Sequence, residues 1–110
     1  MSKHAKFETA DVLRQLQWDL QHELGDQLED ILLFGSRARG EGRPDSDVDV
    51  LILLKGEFDY GELIRRTSSL VATLSLEHNI VISRAFATKA RYETEQSPFY
   101  INVRREAVPL

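Results

Sequence analysis

Two aspartates one residue apart, Asp47 and Asp49, stand at the head of the apolar run VDVLILL. Side chains alternate along a strand, so positions i and i+2 share a face. Two carboxylates held parallel in that way repel each other, and a hard divalent cation is their natural ligand. Magnesium takes one or two carboxylates together with phosphate oxygens and water, so the pair points to a metal–phosphate substrate more than to a bare ion. The other half of such a site lies upstream, where Gly35-Ser36 follows the run ILLF. Glycine lets backbone approach a ligand closely. Ser36 can cap a short turn over Arg37 to Arg39 that ends at Gly40, and the amides at the start of that turn form an anion site. Phosphates would sit there, with the metal bridging them to Asp47 and Asp49 and orienting an in-line attack. Arg37 and Arg39 are placed to add positive charge.

Gly-Ser in a loop is common, and Asp-x-Asp at a strand start is more often a solvated pair. The joint order is far more specific: strand, Gly-Ser, ten residues, Asp-x-Asp, strand. The surrounding elements must hold these parts together. Thr9 or Asp11 can cap a helix running to about Gly25, with Leu13, Leu16, Leu20 and Leu24 on one face and Trp18 on the opposite one. Residues 31–34 and 48–54 read as strands, the second apolar on both faces beyond Asp49 and therefore central. Asp59 with Glu62 forms a capping box for a second helix, with Leu63, Leu70, Val71 and Leu74 as its core face, ending near Asn79. Residues 80–87 (IVISRAFA) form a third strand. A short helix over 88–96 follows, then one opened by Ser97-Pro98 and running through Arg105. VPL adds a short edge strand. The expected fold is α/β, one small sheet with helices, in a single domain over residues 1–110.

Composition bounds the function. The chain has 110 residues with a formal net charge of −4, and this lack of basic excess disfavours nucleic acid as a direct ligand. There are no cysteines, which excludes disulfides and thiolate chemistry and fits a reducing cytoplasm. No apolar run is long enough to cross a membrane, and no signal-peptide pattern opens the chain.

GSRARGEGRPDSDVD resembles, without a gap, the signature of the nucleotidyltransferase superfamily with the DNA polymerase β-like fold. Within it the chain is similar to the minimal nucleotidyltransferases (MNT) that pair with HEPN-domain proteins. The resemblance implies a small mixed sheet with helices packed on one face. It implies Gly35, Ser36 and Arg37 as the nucleotide-binding residues, with Asp47 and Asp49 as catalytic metal ligands. It also implies Mg2+ as cofactor and ATP as substrate. The expected activity is transfer of AMP to a tyrosine of a HEPN RNase toxin, the chain acting as antitoxin within a hetero-oligomer.

One departure matters. The family usually carries a third carboxylate on the strand after the long helix, and IVISRAFA contains no acid. Ser83 lies near the expected place, and Glu77, the nearest preceding acid, falls in the last helical turn. The alternative reading is therefore a degenerate module that neutralises its partner by binding alone. Transfer to a small molecule is a weaker third reading, because such enzymes generally carry an added helical domain. Trp18 is expected either to lie beneath the segment SPFYINV or to meet a partner, and Phe99, Tyr100, Ile101 and Val103 carry the same choice between core staple and docking surface. Arg84 reaches phosphate only if its strand borders the site. His4, His22 and His78 share no metal-like spacing.

Overall fold

The computed structural model describes residues 2–40 and 47–110, with side chains from Ala10 onward. Most of the spacer between Ser36 and Asp47, residues 41–46, lies outside the described residues, as do the side chains of Thr9 and His4. Helix α1 spans Ser2–Leu24 and is followed by a 3₁₀ turn, Gly25–Gln27. Strands β1 (Leu28–Phe34) and β2 (Val48–Leu54) come next, then α2 (Tyr60–His78) and β3 (Ile82–Thr88). Two short helices, α3 (Lys89–Thr94) and α4 (Pro98–Glu106), lead to β4 (Val108–Pro109).

The strand order is β3-β2-β1-β4. β1 pairs antiparallel with β2 and β4, while β2 and β3 run parallel. The sheet is mixed, as expected, because α2 carries the chain from the end of β2 back to its start, whereas the Gly-Ser connection simply reverses it.

β2 is central and buried on both faces. Val48, Val50, Ile52 and Leu54 join Val12, Leu16, Leu20 and Leu24 of α1 and Leu63, Val71 and Leu74 of α2 in one apolar cluster. Leu51 and Leu53 join Leu32, Ala87, Tyr100 and Val103 in a second cluster on the other face. The expectation of helices on one face thus holds for the two long ones, and α3 and α4 add cover on the other. Each fully buried Leu or Val contributes roughly 1.5–3 kcal/mol.

The caps of α2 are those expected. Asp59 Oδ1 accepts from the Glu62 amide at 3.0 Å, and Asn79 closes the helix at φ 51° in the left-handed region. Pro98 stands at the start of α4, although Ser97 makes no side-chain capping bond.

Several expectations are corrected. α1 starts at Ser2 rather than at a cap near Thr9 or Asp11; Asp11 lies inside the helix and pairs with Arg14 at 3.5 Å. β1 begins at Leu28, three residues before the apolar run, because residues 28–30 pair along β2 although two of them are exposed. SPFYINV does not fold over Trp18. Its Tyr100 and Val103 pack on the face of the sheet opposite α1, leaving Trp18 55% exposed and stacked on His22 at 3.6 Å. Phe99 and Ile101 remain exposed beside those two buried neighbours. Arg66 donates to Glu23 and Gln27, and Arg104 donates to the carbonyl of Tyr92.

Candidate active site

The Gly-Ser turn and the aspartate pair meet at one end of the β1–β2 hairpin. Phe34, the last residue of β1, is in register with Asp49. Gly35 then adopts φ +78°, which turns the chain out of the strand. The following turn closes with the Arg39 amide donating to the Gly35 carbonyl at 3.2 Å and the Gly40 amide to the Arg37 carbonyl at 3.2 Å. Gly40, at φ +76°, ends it where expected. Ser36 and Arg37 are partly buried within this turn, and Arg39 is exposed.

Gly35 is confined by more than its dihedral. A Cβ built on it would stand 2.5 Å from Asp49 Oδ2, so the backbone and the carboxylate are packed against each other. Asp47 lies just ahead of β2 and is exposed, while Asp49 is half-buried one position inside the strand. Burial, and then the charge of Asp47, push the Asp49 carboxyl above the ordinary aspartate range. No ion pair between either aspartate and a lysine or arginine is present among the described residues. That pattern fits a hard cation: two oxygen donors, like-charged, one of them partly desolvated. No cluster of three acids or histidines exists among the described residues, so the remaining coordination would come from phosphate and water, as magnesium accepts.

The parallel register places Ser83 directly beside Asp49. Phe34, Asp49 and Ser83 therefore form a row across three strands, on the face covered by α4. Phe99 of α4 meets Phe34 edge-on at 5.8 Å. Glu77 sits exposed in the last turn of α2. Arg84 points to the opposite face, where it donates to Thr67 Oγ1 at 2.8 Å and to the Ile64 carbonyl at 3.0 Å, so it does not reach the phosphate site.

Comparison with known proteins is decisive for the family. The sequence model of the nucleotidyltransferase domain matches residues 12–103. The chain belongs to the nucleotidyltransferase domain family. A Methanocaldococcus jannaschii relative, named as a candidate protein adenylyltransferase, is 36% identical over 76 residues, covering 69% of this chain and 76% of the relative. Among solved structures, a toxin–antitoxin crystallised with AMP-PNP superposes with a TM-score of 0.59 at 17% identity, over 86% of this chain and 68% of the other. A candidate nucleotidyltransferase of Sulfolobus solfataricus superposes with a TM-score of 0.57 at 20% identity, over 93% and 84%. At these identities the structural likeness speaks for the nucleotidyltransferase fold alone. The expected fold is borne out, and so is the expected class of enzyme.

One residue at this candidate site carries no signal in the sequence. Glu106, at the end of α4, accepts the Gly35 amide at 3.3 Å through Oε1 and the Arg39 guanidinium at 3.0 Å through Oε2. The Arg39 hydrogen bond, and less strongly the Gly35 amide, hold its carboxyl below the usual range against some desolvation. It is 71 residues from Gly35 in sequence, and nothing local marks it out.

Proposed function

We propose that this nucleotidyltransferase moves AMP from ATP to a tyrosine hydroxyl of a HEPN partner and thereby acts as its antitoxin. The observation that carries the reading is the packing of Gly35 against Asp49, which joins the Gly-Ser turn and the carboxylate pair into one site. The relative named for protein adenylylation supports the nucleotide and the class of acceptor. The toxin–antitoxin neighbour crystallised with AMP-PNP supports a partner toxin and an adenine nucleotide, and the HEPN identity and the tyrosine rest on the resemblance of the motif.

In this reading Gly35 and Ser36 receive the triphosphate, with Arg37 adding charge. Asp47 and Asp49 would hold magnesium, which would supply charge neutralisation on the phosphates. The acceptor oxygen attacks the α-phosphorus, a new O–P bond forms, and the bond to pyrophosphate breaks. The hydroxyl proton is released to water as the O–P bond forms. In the row Phe34–Asp49–Ser83, Ser83 is exposed and the other two are half-buried.

The test is to incubate the purified chain with its partner, magnesium and ATP and to take intact masses of both. One or more AMP units on the partner, lost in the Asp47→Asn plus Asp49→Asn variant, supports the transferase. A second reading, neutralisation by binding alone, is favoured by Ser83, which stands in register with Asp49 and supplies no acid. It predicts a tight complex with no mass change, and suppression of toxicity that survives the double substitution.

A further inference from the structure

We propose that Glu106 is a positioning residue of the transfer site, holding the Gly35–Ser36 turn in the shape that receives the nucleotide. The inference rests on reading that turn as part of the nucleotide site. An acid beside a triphosphate site is unfavourable by charge, so its presence needs a geometric reason. The geometry supplies one. Glu106 engages the turn at both ends, at the Gly35 amide before Ser36 and at the Arg39 side chain after it. These two bonds span the internal bond from the Arg39 amide to the Gly35 carbonyl.

The carboxylate is itself firmly placed. It ends α4, whose Tyr100 and Val103 are buried against the sheet, and the chain runs directly on into β4, which pairs with β1. The Leu110 amide then donates to the Ile31 carbonyl at 3.0 Å. The Glu106 side chain is only 23% exposed, and its charge is matched by Arg39. The pair is close to neutral as seen by an incoming phosphate, which leaves geometry as its contribution. Because Gly35 in turn bears on Asp49, the clamp from α4 reaches the carboxylate pair through one glycine.

The experiment compares the full chain with Glu106→Ala and Glu106→Gln, each with the partner present. Glu106→Ala is expected to raise KM for ATP by about tenfold, the scale of one lost hydrogen bond to a charged group. kcat is expected to change by less than about threefold, since Glu106 touches no reacting atom. Glu106→Gln, which keeps an acceptor for the Gly35 amide, recovers part of the loss. An unchanged KM in Glu106→Ala, or a loss confined to kcat, overturns the proposal; if that variant does not fold, an unchanged KM in Glu106→Gln does so. Hydrogen exchange at the Gly35 amide provides a readout independent of activity. Faster exchange in Glu106→Ala supports the clamp even if the unsubstituted chain transfers nothing, which would count against the transferase reading only. Unaltered exchange overturns the clamp whatever the activity.

Discussion

A side-chain carbon on Gly35 would lie 2.5 Å from Oδ2 of Asp49, closer than unbonded atoms approach. The turn proposed to receive phosphate and the acid proposed to hold metal are thus packed against each other. Gly35→Ala must both take up a left-handed conformation, at about 1–2 kcal/mol, and displace that carboxylate. Chemical denaturation should show a loss of at least that size. Nucleotide affinity, measured by titration with a non-hydrolysable ATP analogue, should fall by about tenfold or more.

Asp49 is expected to favour activity at the expense of stability. A carboxyl whose proton affinity is raised by folding stabilises the folded state while protonated. That contribution is complete below the ordinary aspartate value of 3.8 and is lost as pH rises through the elevated one. At neutral pH the ionised group is therefore a small liability. Asp49→Asn should raise the melting temperature of the metal-free protein by about 1–3 °C, a figure discounted for screening of a half-exposed group, and abolish AMP transfer. The acid limb of magnesium binding should lie above the ordinary aspartate pKa.

Ser83 offers a gain-of-function test. Its register beside Asp49 means that Ser83→Asp would put a third carboxylate on the same face. The new acid can take the acceptor's proton. Transfer should accelerate by at least about tenfold, below the usual range for general-base help because the geometry is unrefined. Initial rates of AMP incorporation into the partner would measure it.

A control lies on the opposite face of the sheet. Buried Thr67 donates to the Leu63 carbonyl at 2.8 Å and accepts from Arg84 Nε at 2.8 Å. Thr67→Val keeps the shape and removes the acceptor, at an expected cost of about 1–3 kcal/mol in urea unfolding. Because that contact lies on the other side of β2 from Asp49, nucleotide affinity should stay within about twofold.

What could be read from the sequence was what neighbouring residues decide together. Asp59 and Glu62 announce a helix start by chemistry within one turn, and VDVLILL announces a strand covered on both faces. The Gly-Ser and Asp-x-Asp pair was legible because one hairpin brings its halves together. Three matters were hidden because they depend on residues far apart. The partner of the Gly35 amide comes from the other end of the chain, as Glu106. The side of the sheet chosen by α4 decides that Trp18 stays exposed. The direction of Arg84 follows from the register of β3, which no single strand's pattern reveals.

Assembly in time follows from the contact between α4 and the Gly-Ser turn. On a ribosome, β1, β2 and both aspartates emerge well before Glu106. About sixty residues separate Asp49 from Glu106, and at about 5–20 residues per second that interval is roughly 3–12 s. For those seconds the nascent chain carries every residue of the motif without the brace at its turn. A chain interrupted before α4 would display an intact signature with its turn unbraced. Emergence of α4 is then the event that braces the turn.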